Sequence, residues 1–153
     1  MNSNSPQIEA LEEFVLTTRM VQSYQMLLLL VMLSQADEGG RFSLQTAASR
    51  FTRFYQARTR AGLVAEKQHG SKQAAIDARQ IESTIKNSPF PRFRDRGFLT
   101  LEGDQFEIPP ALHRALTAEV RAQVRALAIR RLATYFGERE AAIDALLLQS
   151  IEA

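Results

Sequence analysis

A mainly α-helical domain with one β-hairpin is the fold class this sequence predicts, and three observations lead there. Apolar residues recur at helical spacing through most of the chain. One stretch, Phe98 to Ile108, alternates instead with period two about a turn at Gly103-Asp104. Breaker residues separate the periodic segments, at Gly39-Gly40, Gly62, Gly70, Ser88-Pro89, Pro109-Pro110 and Gly137. At 153 residues, 45% of them apolar, the chain suffices for one domain with a real core.

The elements can be justified in order. Pro6 suits a first helical turn, and Ile8, Leu11 and Val15 carry a short helix to about Thr18. A second helix runs from Gln22 to Ala36. Its block Met26 to Leu33 (MLLLLVML) is apolar on nearly every side, which predicts the centre of the core. That block falls well short of the roughly 20 apolar residues that cross a bilayer, so a buried helix and no membrane anchor is expected. Phe42 stands as a short extended apolar element between Gly40 and Ser43.

Ser43 then caps a helix from Leu44 to about Thr59. Leu44, Ala47, Ala48, Phe51, Phe54 and Tyr55 share one face of it, and Arg50, Arg53 and Arg60 lie opposite. After a connection through Gly62 and Gly70, Ser71 caps a helix from Lys72 to about Asn87, which Ser88-Pro89 stops. Ala74, Ala78, Ile81 and Ile85 form its narrow apolar stripe. Lys72, Arg79 and Lys86 recur on the opposite side beside Gln80, Ser83 and Asn87.

Pro89 to Phe93 reads as an anchoring turn that buries Phe90, leaving Arg92, Arg94 and Arg96 near the end of the preceding helix. Beyond the hairpin, one long helix is expected from Ala111 to Phe136. It carries an apolar stripe of Leu112, Leu116, Val120, Val124 and Leu127 and a second of Ile129, Leu132 and Phe136. Gly137 ends it, and a last helix from Arg139 to Ile151 buries Ile143, Leu146, Leu147 and Ile151. Residues 1–110 therefore form the core unit, and residues 111–153 a C-terminal helical hairpin packed on the same domain.

The net charge of +2 hides an uneven distribution. Residues 1–40 carry one Arg against five acids, residues 41–96 twelve Lys or Arg against four, and residues 97–153 six Arg against eight. A central third with a net +8 predicts a localised anion-binding surface, the alternative being a basic face balanced by acidic flanks. There is no cysteine, which excludes disulfides and thiolate metal sites, and the opening MNSNSPQIEALEE lacks the pattern of a secretory signal. A cytoplasmic location is expected.

No catalytic or cofactor motif stands out, and neither enzyme activity nor a cofactor is expected. His69 and His113 are far apart and without Asp or Glu at ligand spacing, so no metal site is expected. Glu102, Asp104 and Glu107 read as solvated hairpin acids. HGSKQ, from His69 to Gln73, could hold a phosphate at a helix N-terminus, but it lacks the spacing of a nucleotide P-loop and an ordinary Ser71 cap is expected. Tyr55 and the phenylalanines at 51, 54, 90 and 93 could stack on unpaired bases, yet their helical spacing favours the core.

The succession of central helix, short extended pair, helix, polar-faced helix and hairpin resembles a winged helix-turn-helix. The resemblance implies that the helix from Lys72 to Asn87 takes the recognition position and that the hairpin is the wing. A helix in that position enters the major groove, where Arg, Lys, Gln and Asn meet base edges. The connection from Thr59 to Ser71 is longer than the usual 3 to 4 residue turn. The acidic hairpin is expected to brace the site, since a phosphate-touching wing would carry cations.

A second resemblance rests on RMVQSYQMLLLLVML, FTRFYQAR and NSPFPRF. These segments are similar to an accessory domain of bacterial restriction and phage-defence proteins, including DEAD/DEAH-type helicases and HNH endonucleases. The expected function is a non-enzymatic module of a DNA-defence or DNA-processing complex. Its expected nucleic-acid contacts are Arg50, Arg53, Lys72, Arg79, Gln80, Lys86, Arg92, Arg94 and Arg96. The alternative is a protein-interaction adaptor or self-associating subunit that uses residues 111–153, whose two apolar stripes could exceed what one domain covers.

Overall fold

The computed structural model describes residues 5–66 and 78–153. Ser5 accepts the Ile8 N–H and starts helix α1 (Pro6–Thr17), which buries Ile8, Leu11, Phe14 and Val15. Helix α2 (Tyr24–Gln35) buries every residue from Gln25 to Met32, as its all-round apolar sequence predicts. Among the described residues, no helix is long and apolar enough to cross a membrane.

After α2 the Asp37 carboxylate accepts the N–H groups of Gly39 and Arg41, each at 2.9 Å, and folds the chain into a tight turn. Gly40 has φ 81°, and a Cβ there would lie 3.2 Å from the His113 ring and 3.3 Å from the Ile108 carbonyl. The turn delivers strand β1 (Arg41–Ser43). Ser43 then accepts the Thr46 N–H at 2.9 Å and caps helix α3 (Leu44–Arg60).

Helix α4 (Ala78–Asn87) and helix α5 (Pro89–Asp95) follow. The predicted start of α4 at Lys72, with its Ser71 cap and the HGSKQ segment, lies outside the described residues. The expected anchoring turn at Pro89 is itself a helix. Proline ends α4 because it has no N–H to donate, and the same lack is tolerated at the first position of α5, where Phe90 and Phe93 become buried.

Strands β2 (Thr100–Glu102) and β3 (Gln105–Glu107) form the expected hairpin. It is part of a three-stranded antiparallel sheet in the order β1-β3-β2, because Phe42 pairs with Phe106 and brings β1 alongside. The two rings stack at 5.1 Å.

The long helix expected from Ala111 to Phe136 is two helices, α6 (Pro110–Ala115) and α7 (Ala118–Phe136). Thr117 adopts an extended backbone and accepts the Val120 N–H at 3.2 Å, so it caps a new helix instead of continuing the old one. Gly137, with φ 69°, closes α7: its N–H and that of Glu138 bond to Thr134 and Ala133. Helix α8 (Glu140–Gln149) completes the chain.

The molecule is thus mainly helical with a small sheet, and one continuous apolar core runs from Ile8 to Ile151. Both expected stripes of α7 are used inside it. α7 packs on α1, α2 and α8, and α8 packs on α3.

Candidate nucleic-acid interface

Helix α4 divides sharply into two sides. Ile81 and Ile85 are buried, while Arg79, Gln80, Ser83, Lys86 and Asn87 are all exposed and fall within about a third of the helix circumference. Asn87 donates to Ser83 Oγ at 3.2 Å along this face. Two cations, two amides and a hydroxyl on one exposed surface are the side-chain types that meet phosphates and base edges.

Helix α5 packs directly on α4 and extends its charge. Arg92 and Lys86 make no ion pair among the described residues. Arg94 lies 3.1 Å from Asp95 and stands 5.8 Å from the Phe90 ring centre. The Arg96 guanidinium lies over the Phe14 ring at 5.4 Å, on an otherwise exposed residue. From residue 78 to residue 96 five cations face two acids.

Two expected contacts depart from this surface. Arg50 is half-buried and already engaged. It donates to the backbone oxygens of Ser150 and Ala153 and so holds the end of α8. Burial, and then the charge of neighbouring Arg53, lower its pKa. Arg53 is exposed on the outer stripe of α3 with Gln45, Ser49, Gln56 and Arg60. Lys72 lies outside the described residues.

The hairpin braces the fold. Its turn is tied to α3, since the Leu44 N–H donates to the Asp104 carbonyl at 2.8 Å and Gln45 donates to the Asp104 carboxylate at 3.0 Å. Glu107 lies 3.7 Å from Arg41 on the neighbouring strand. Tyr55, Phe51, Phe54, Phe90 and Phe93 are all buried, so none offers a ring to an unpaired base.

Other arginines counted in the sequence as charge act as internal fasteners. Helices α1, α2 and α8 have no basic residue in their last turns. Each receives an arginine from another helix: Arg131 donates to the Val15 and Thr18 carbonyls, Arg121 to Leu33, and Arg50 to Ser150. Arg58, from the FTRFYQAR segment, is fully buried and donates through both terminal nitrogens to Glu138 at 3.0 and 2.8 Å. Three helix ends without a glycine or a basic residue were the only sign in the sequence that such partners were needed.

A second buried polar node was not legible in the sequence at all. The Glu66 carboxylate accepts from the Ser23 N–H, the Ser23 hydroxyl, Tyr55 and Tyr135. Burial, followed by the nearby Glu66 charge, pushes the Tyr55 phenol well above its ordinary pKa. All four donors are neutral: Ser23 at the start of α2 supplies two, and Tyr55 of α3 and Tyr135 of α7 supply one each, so the carboxylate ties the start of α2 to α3 and α7. His113, the other polar group set aside in the sequence, donates from Nε2 to the Glu38 carbonyl at 2.9 Å, and its Nδ1 is buried without a partner among the described residues.

No protein-family model, curated protein or solved structure matches this chain.

Proposed function

We propose that this protein is a non-enzymatic nucleic-acid-binding module that lays α4 in the major groove and contacts flanking phosphates through α5. The carrying observation is the outward face of α4, where Arg79, Gln80, Ser83, Lys86 and Asn87 stand opposite buried Ile81 and Ile85, with an arginine-bearing helix directly behind. The order of elements supports the same reading. From α2 on, helix, strand, two helices, the short extra helix α5 and two strands, with the last strand central in the sheet, resemble a winged helix-turn-helix with one added helix before the hairpin. The segments similar to restriction and phage-defence accessory domains favour a place in a DNA-defence or DNA-processing complex.

The contacts divide by chemistry. Lys86, Arg92, Arg94 and Arg96 would neutralise phosphates, and Arg79, Gln80 and Asn87 would reach base edges. The hairpin, acidic and tied to α3, stays off the backbone.

Titration of labelled duplex and single strands across a salt series tests this. These four phosphate contacts give a log-log slope of roughly −3.5 on duplex. Reversing charge at Arg79 and Lys86 should then lower duplex affinity by about tenfold or more and flatten the slope by roughly one, through Lys86, with the thermal unfolding midpoint unchanged. Absence of binding at about 50 mM salt would reject the reading. Unchanged affinity in the double variant would move the site away from α4. A second reading, a protein-interaction module, is favoured by one observation, the exposed face of α8.

A further inference from the structure

Helix α8 presents a face that nothing covers among the described residues. Ala141, Ala142, Ala145, Leu148 and Gln149 fall within about a third of its circumference, and all are exposed. Leu148, at 58% exposure, is the most exposed large hydrophobic side chain described. The opposite side buries Ile143, Leu146 and Leu147. A lone surface leucine is ordinary, but a helix face built of small apolar residues around a leucine, with no charge on it, is what another helix can approach closely.

The charges bordering this face have a consistent pattern. Arg50 on α3 meets Ser150 after α8, and Arg58 meets Glu138 before it, so α8 runs antiparallel to α3. Along the pair of helices, Arg53 then falls level with the middle of α8 and Arg60 level with the residues just before it. Every carboxylate around α8 already has a partner: Glu138 with Arg58, Asp144 and Glu152 with Arg125, Glu140 with Arg130. Arg53, Arg60 and Arg139, the last standing just before α8, are exposed and carry no ion pair among the described residues.

We propose that the α8 face docks an amphipathic helix of a partner protein, one whose apolar stripe is bordered by Asp and Glu. The apolar centre takes the stripe, and Arg53, Arg60 and Arg139 take the acids. A second copy of this chain fits less well, because its α8 carboxylates, Asp144 and Glu140, are already paired with Arg125 and Arg130 and would leave Arg53, Arg60 and Arg139 without acids. Nucleic acid would satisfy the arginines and leave the apolar centre without an occupant. This surface is independent of α4, so loss of duplex binding by an α4 variant leaves it untouched.

The test is a display library of amphipathic helical peptides, with a leucine stripe and randomised flanks, selected on the full chain. Asp and Glu should be enriched on the flanks. The selected peptides should bind Leu148→Glu about tenfold more weakly or worse, and Arg53→Glu/Arg60→Glu should lose the preference for acidic flanks. Leu148 is exposed, so the Leu148→Glu protein should keep the wild-type thermal unfolding midpoint. Failure to enrich any sequence, enrichment of basic flanks, or undiminished binding by Leu148→Glu would each overturn the proposal. So would a dimer in light scattering that Leu148→Glu dissolves, which would make the occupant a second copy.

Discussion

Arg58 lies wholly inside the protein, and its charge is matched on each side. Its Nε donates to the Val64 carbonyl at 2.6 Å, its terminal nitrogens bind Glu138, and the Phe136 ring sits 3.6 Å from the guanidinium carbon. Removing one member of such a pair strands a charge that has already been taken out of water. Glu138→Gln should therefore lower stability by about 3 kcal/mol, read from the urea unfolding midpoint at unchanged m-value. The same residue scale explains where the sequence misleads. Arg50, Arg53 and Arg60 are alike in the sequence, each on the polar side of one amphipathic helix. Arg50 differs only because the end of α8 comes to rest beside it, a fact of tertiary structure that helical periodicity does not encode.

At the scale of elements, the boundaries that sequence periodicity missed are those where an apolar stripe continues across a break. Leu112, Leu116, Val120 and Val124 keep helical spacing through Thr117, yet the chain leaves the helix there and Thr117 restarts it. Thr117→Ala should cost about 1 kcal/mol, measured by thermal or urea unfolding, through loss of the hydrogen bond to the Val120 N–H. Pro89 worked in the opposite sense, as a stop for α4 that also begins α5. β1 was visible only as one extended phenylalanine, because a three-residue strand has too few positions to show a period of two. The α4 face was legible for a simple reason. An exposed helix with a narrow apolar stripe keeps its pattern whatever packs behind it, and Ile81 and Ile85 are buried as that pattern predicts.

Across the whole molecule, the uneven charge of the sequence is sorted into two kinds. Arg50, Arg58, Arg121, Arg125 and Arg131 are engaged by helix ends and carboxylates of the fold, Arg58 fully buried and the others half-buried. Of the exposed cations, Arg79, Lys86, Arg92, Arg94 and Arg96 cluster on and just after α4 and α5, while Arg53, Arg60 and Arg139 lie on α3 and just before α8. The C-terminal helices belong to the common core, with α7 against α1 and α2 and α8 against α3, and their outer sides face away from it. The arginine fasteners also bear on how the chain reaches this state. Arg121 and Leu33 lie 88 positions apart, and Arg131 and Val15 lie 116 apart. The last turns of α1 and α2 can thus be secured only after α7 has docked, however readily those helices form locally. An Arg131→Met variant should unfold faster at nearly unchanged refolding rate, seen as movement of one limb of the chevron alone. For a helical protein of this length, the final step of folding is then set by contacts between distant parts of the chain, which places helix ends among the last features to become native.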